Sequence, residues 1–158
     1  MIDQHFENAV DKLLKHEGGY VDDPADKGGE TNFGISKAVY LDLDIKNLTR
    51  DEAKEIYFRD YWQKNRYGDI NNQKIAEKVF DLAVNMGSFR ANCLLQIAVN
   101  YAGTPVVIDG MIGPQTLSAV NGQVSGYLLA LLKIEAVRFY ASLENARHEK
   151  GWVKRAVS

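Results

Sequence analysis

Apolar residues recur at three- and four-residue steps from the start of the chain: Ile2, Phe6, Ala9, Val10, Leu13 and Leu14. That spacing lines one face of an amphipathic α-helix. Carried on from Val10, Leu13 and Leu14, the rhythm places Glu17 on the same face. Gly18 and Gly19 then predict the helix's end, as C-terminal glycines do. From Tyr20 to Ile35 the pattern breaks at Pro24, Gly28, Gly29 and Gly34, which reads as turns with room for a short β-hairpin. Thr49-Arg50-Asp51-Glu52 forms a capping box that opens a helix through Ala53, Ile56, Tyr57 and Tyr61. The next helix is expected over Gln73 to Met86, with Ala76, Val79, Phe80, Ala83 and Val84 inward and Gly87 as its stop. Ser88 is placed to cap another, through Leu94, Leu95, Ala98 and Val99, ending at Gly103-Thr104-Pro105. Asp109-Gly110 predicts a turn, and Pro114 suits the first position of a short helix over Gln115 to Val120. The longest helix is expected over about Ser125 to Asn145. No repeat, low-complexity tract or linker interrupts the series, so the pattern predicts one mainly α domain.

Composition narrows the function classes. At 158 residues and 46% hydrophobic, the chain can bury one sizeable core. A formal net charge of -2 predicts no general affinity for nucleic acid. Positive charge gathers only near the C-terminus, at Arg147, Lys150, Lys154 and Arg155 around Trp152, and reads as a solvated helix end. The single cysteine, Cys93, sits among Ala91, Leu94 and Leu95; no intrachain disulfide is possible, and a small buried apolar role is expected. The N-terminal residues lack a basic region followed by an apolar run, so no signal peptide is expected. The longest apolar stretch, around Tyr127 to Leu132, is too short for a membrane span, and no stable membrane insertion is expected.

The candidate chemistry centres on Glu17. A carboxylate closing an apolar helical stripe is desolvated and faces the negative end of the helix dipole; both effects raise its pKa. A raised pKa is what a general acid working near neutral pH needs. The polar loop that follows carries Asp22, Asp23, Asp26 and Glu30, so a protonated and an ionised carboxyl group can face one another across a cleft. Such a pair serves glycosidic bond hydrolysis. Other readings of the segment fail. The acidic loop lacks the alternating ligands and fixed glycine of a calcium loop. His16-Glu17 starts like a zinc-protease motif, but Tyr20 stands where its second histidine belongs. Gly28-Gly29 lacks the Lys-Ser/Thr ending of a phosphate loop. No metal site and no cofactor are expected.

The stretch Glu17-Gly18-Gly19-Tyr20 through Asp26-Lys27-Gly28-Gly29-Glu30-Thr31-Asn32-Phe33-Gly34-Ile35 resembles glycoside hydrolase family 108, the lysozyme-like N-acetylmuramidases found as phage endolysins and as bacterial secretion activators. A second block, Phe80-Asp81-Leu82-Ala83-Val84-Asn85-Met86-Gly87, then Leu95-Gln96, then Asp109 through Thr116, is similar to the peptidoglycan-binding region that follows in that family. The resemblance implies a mainly α, lysozyme-like single domain, with a catalytic lobe over 1–70 and a helical lobe with the peptidoglycan-binding region over 71–158. It implies hydrolysis of the β-1,4 bond between N-acetylmuramic acid and N-acetylglucosamine. Glu17 would be the general acid and Asp26 the second carboxylate, with Asp22 and Asp23 competing for that role. Thr31 would position the water, one residue nearer to its Asp than in phage-type lysozymes. Gly18, Gly19, Tyr20, Asn32 and Asn85 would contact substrate in a cleft between the Glu17 loop and the helices around Asn85, although the Asn85 amide could instead tie down the turn at Gly87. An inverting mechanism would hold the two carboxyl groups roughly 6.5–9.5 Å apart. The partner implied is the peptidoglycan glycan strand, reached in the periplasm or at the cell wall through a holin or secretion machinery. A lytic transglycosylase and a non-catalytic wall-binding module are the alternatives.

Overall fold

The computed structural model describes residues 3–16, 19–22, 29–143 and 149–158, without the side chains of 16, 149, 150 and 152. The chain divides into two compact units, Met1–Lys64 and Asn65–Ser158. Helix dominates both, as the hydrophobic pattern predicts, and the strands among the described residues form one small antiparallel pair.

In the first unit, α1 (Gln4–His16) buries Phe6, Ala9, Val10, Leu13 and Leu14, the stripe read from the sequence. Asp3 opens it: one carboxylate oxygen accepts the His5 backbone N–H at 2.9 Å and the other the Trp62 indole N–H at 3.0 Å. Helix α2 (Arg50–Tyr57) starts at the expected capping box, with the Thr49 N–H donating to Glu52 Oε2 at 2.8 Å and the Glu52 N–H to Thr49 Oγ1 at 3.3 Å. It continues into a π-helical stretch, Phe58–Gln63. Phe58 and Trp62 make T-shaped contacts with the Phe6 ring there, at centroid distances of 5.0 and 5.6 Å. Lys54 bridges Glu7 at 2.6 Å and Asp11 at 2.9 Å, and Arg50 joins Asp11 at 3.0 Å, so charge braces α2 against α1 outside the apolar seam.

The second unit begins with a 3-10 turn, Tyr67–Asp69, whose buried tyrosine donates its hydroxyl to Asn92 Oδ1 at 2.7 Å. Helix α3 (Gln73–Met86) is capped by Asn72 and buries Ile75, Ala76, Val79, Phe80, Leu82 and Ala83. Gly87, with φ +89, ends α3 and also caps α4 (Ser88–Tyr101). Ser88 is therefore the first helical residue rather than the expected cap, and its hydroxyl accepts from the Asn65 amide at 3.1 Å. Helix α5 (Pro114–Asn121) begins at Pro114 as expected. Helix α6 (Ser125–Ser142) is shorter than its hydrophobic pattern suggests, and a further helix, α7 (Glu149–Val157), packs on it. Helix α3 lies against α4 and α6, with Leu95, Leu128, Leu132 and Ala136 closing the core. The basic C-terminal residues are not uniformly solvated: the Arg155 guanidinium reaches Asp81 at 2.9 Å. No helix among the described residues is long and apolar enough to cross a membrane.

Candidate active site

The chain after α1 is organised by a hairpin. Strands β1 (Thr31–Asn32) and β2 (Ile35–Ser36) pair antiparallel, with Asn32 opposite Ile35. Phe33 and Gly34 form the two-residue turn, and both have positive φ, 51° and 79°. Two consecutive left-handed residues match the right-handed twist of a hairpin. Glycine accepts this conformation freely, whereas phenylalanine needs support. The buried Tyr57 of α2 supplies it by donating its hydroxyl to the Phe33 carbonyl at 2.8 Å. On the other side the buried Asn32 donates its amide to the carbonyls of Ile45 at 3.0 Å and Leu48 at 3.4 Å.

A clasp then closes the chain that contains Asp26. Val21 and Thr31 exchange two backbone hydrogen bonds, each 2.8 Å, as an isolated antiparallel bridge. Beside it the Tyr20 hydroxyl donates to Glu30 Oε1 at 3.1 Å. The Thr31 hydroxyl donates to the Gly29 carbonyl at 3.4 Å. Desolvation, the Glu30 hydrogen bond and the charges of Glu30, Asp22 and Asp44 raise the Tyr20 phenol above its ordinary pKa.

The expected site residues fall into three groups. Glu17, Gly18 and Asp26 lie outside the described residues, as does the competing Asp23; α1 is described up to His16, the residue before Glu17. Gly19, Tyr20, Thr31 and Asn32 come together around the clasp and hairpin, with Gly19 and Tyr20 exposed, Thr31 half-buried and Asn32 turned into the fold. Asn85 belongs to the second unit, where its Oδ1 accepts the Tyr140 hydroxyl at 2.5 Å and ties α3 to α6. Tyr57 and Trp62 are core residues, whereas Tyr20 offers an exposed ring. Glu30 and the Tyr57 hydroxyl emerge as positioning groups that local spacing does not mark; the sequence signal for Tyr57 is that of any buried aromatic. Among the described residues no group of three His, Cys, Asp or Glu side chains could hold a metal.

The second sequence block builds a scaffold. The Gln96 side chain, fully buried, donates to Asp109 Oδ1 at 2.8 Å and to the Met111 carbonyl at 3.0 Å, and accepts from the Asp109 and Gly110 N–H groups. Asn92 adds a bond to the Gly110 carbonyl at 2.9 Å. The Gln96 and Met111 bonds hold the Asp109 carboxyl below its ordinary pKa. The Asp109-to-Thr116 motif is thus fastened from beneath by α4.

A mainly helical chain with a small hairpin after its first helix is lysozyme-like in architecture. Comparison with known proteins agrees. The model described as Glycosyl hydrolase 108 matches residues 10–87, and one described as Predicted Peptidoglycan domain matches residues 90–157. A solved structure entitled "Structure of Brucella abortus SagA" is 31% identical, with a TM-score of 0.82 over 96% of this chain and 89% of that one. No curated protein matches the chain. The chain belongs to the glycosyl hydrolase 108 family, and its lysozyme-like function is directed at peptidoglycan.

Proposed function

We propose that the chain is an N-acetylmuramidase that hydrolyses the β-1,4 bond between N-acetylmuramic acid and N-acetylglucosamine. Glu17 is the general acid: its proton passes to the glycosidic oxygen as the bond to the anomeric carbon breaks, leaving a neutral sugar hydroxyl. Asp26 is the base or electrostatic partner, facing the positive charge that develops on the ring and the water that replaces the leaving group. Thr31 orients that water. Its hydroxyl makes only a long bond, 3.4 Å, to the Gly29 carbonyl, so the group stays able to bond a water molecule.

The observation that carries this reading is the clasp. Val21 with Thr31, and Tyr20 with Glu30, fix both flanks of the segment bearing Asp26 within a few residues of the end of α1. A reacting pair needs such fixed flanks, because misplacement by about 1 Å costs about 10²-fold in rate.

The test is to incubate wild type, Glu17→Gln and Asp26→Asn with purified peptidoglycan and identify the released ends by mass spectrometry. Wild type is expected to release reducing muramic acid ends, and Glu17→Gln to lose about 10²–10⁴-fold of the rate, the range of general acid catalysis. Anhydromuramoyl ends would instead make it a lytic transglycosylase. Binding without release by any of the three proteins would make it a wall-binding module.

A further inference from the structure

The second unit carries an open groove of about 590 Å³ between the chain at Thr104–Val106 and helix α5. Its α5 wall follows from helical spacing: Pro114, Gln115, Ser118 and Gly122 share the face opposite the buried Leu117 and Val120. The other wall is held rigidly. Asn100 grips Val106 from both sides, its Oδ1 accepting the Val106 N–H at 2.6 Å and its amide donating to the Val106 carbonyl at 3.0 Å. Gly103, at φ +96, turns the chain out of α4. Gln123 donates to Thr104 Oγ1 at 2.6 Å, so the Thr104 hydroxyl is engaged as an acceptor and turns its own hydrogen elsewhere. A groove whose walls are fixed before binding loses little entropy on occupation.

The lining chemistry selects the occupant. No lining residue is ionisable. The walls alternate pyrrolidine faces, Pro105 and Pro114, with the hydroxyl and amide groups of Thr104, Gln115 and Ser118. A carboxylate or ammonium entering this groove would meet no opposite charge in its lining. A pyranose ring, with its C–H face and its rim of hydroxyl and acetamido groups, meets both kinds of wall. The volume lies within the ~300–1,000 Å³ common for small-ligand sites. The geometry points to a second glycan subsite, in which this groove binds the uncharged N-acetylamino sugar backbone of peptidoglycan and not its charged peptide stems. The inference rests on the peptidoglycan reading above, and the groove falls within residues 90–157, matched by the peptidoglycan domain.

The test uses full-length Glu17→Gln protein, chitotetraose as a neutral stem-free probe, and backbone amide shifts as the readout. The largest shifts outside the first unit are expected at Thr104, Val106, Gln115, Ser118 and Gly122. Ser118→Trp fills the groove from an exposed helical position; it should abolish those shifts and lower retention on chitin, an uncharged and stem-free polymer of N-acetylglucosamine, by about tenfold or more. Gln115→Ala, which keeps the helix and removes one amide, should give a smaller loss in the same direction and stands in if Ser118→Trp melts early. Shifts confined to residues 1–64, no shifts up to about 1 mM probe, or retention that requires the peptide stems would each overturn the proposal. Wild-type release of reducing ends is measured alongside. Groove shifts without turnover would support the subsite and sink the muramidase reading, and turnover without groove shifts would do the reverse.

Discussion

Phe33 shows how a single residue depends on a distant one. A left-handed backbone at a side-chain-bearing residue costs about 1–2 kcal/mol, and at φ 51 Phe33 keeps it while the Tyr57 hydroxyl holds its carbonyl. Tyr57→Phe deletes that donor with almost no change in volume. Denaturant unfolding should show a loss of about 1 kcal/mol, and under the proposed function, in which Thr31 orients the water, the rate of peptidoglycan hydrolysis should fall with it. Unchanged stability would mean that the hairpin holds itself. Asn85 poses the opposite question, whether a polar residue in a family motif touches sugar or fold. Its bond to Tyr140 predicts that Asn85→Ala lowers stability by about 1 kcal/mol with KM unchanged; a raised KM at constant melting temperature would return it to the substrate. Glu17 lies outside the described residues, and the sequence singles it out as a candidate because a carboxylate at the end of an apolar stripe is electrostatically out of place. It leaves Asn85 open because Tyr140 lies 55 positions away and nothing local announces the pairing.

At the scale of elements, legibility follows the range of the forces. Helices α1 to α5 are set by nearest-turn periodicity, the Thr49 capping box, Gly87 and Pro114, and they appear where those signals lie. Helix α7 is different, since long-range polar contacts hold it. Lys78 donates to the Arg155 carbonyl at 2.7 Å, Lys133 to the Val157 carbonyl at 2.9 Å, and Arg155 pairs with Asp81. Burial lowers the Lys78 pKa, so this ammonium group is retained for its carbonyl partner against its own desolvation. Arg155→Ala should loosen α7 by about 2 kcal/mol, the scale of a charged hydrogen bond with a partly buried partner, seen as faster amide exchange confined to 149–158 and its neighbours on α3 and α6. The α1–α2 brace makes a pH prediction. Hydrogen bonds from Lys54 and then Arg50 lower the Asp11 pKa below 3.8. Its contribution is therefore fully present above 3.8 and is lost as pH falls through the lowered folded value. The pair is solvent-screened, so the effect should stay below about 1 kcal/mol. Asp11→Asn should flatten the acid limb of the stability curve below about pH 5, and an unaltered limb would remove the brace from the account.

The whole molecule divides in one place by packing and in another by family matching. The glycosyl hydrolase match runs to residue 87 and the peptidoglycan domain match starts at 90, whereas the compact units part between Lys64 and Asn65. Helix α3 lies in the disputed stretch, and its buried face settles where it belongs energetically: Ile75, Val79, Phe80 and Leu82 are each no more than 1% exposed, and α3 packs on α4 and α6. The turn before it is joined to the same unit, with the Asn121 amide donating to the Asp69 carbonyl at 2.9 Å and the Asn71 N–H to Asn121 Oδ1 at 2.8 Å. A fragment of 65–158 keeps all of this, and one of 88–158 loses it. Losing those four side chains removes about 6–12 kcal/mol of apolar burial, comparable with the whole ~5–15 kcal/mol that holds a small domain folded. The expected outcome is a cooperative thermal transition and dispersed amide spectra for 65–158, and neither for 88–158. The complementary fragment 1–87 would present the same α3 face to water and should aggregate. If 88–158 folded as stably as 65–158, α3 would be an appendage of the second unit rather than its centre, and the boundary would belong where the family matches meet.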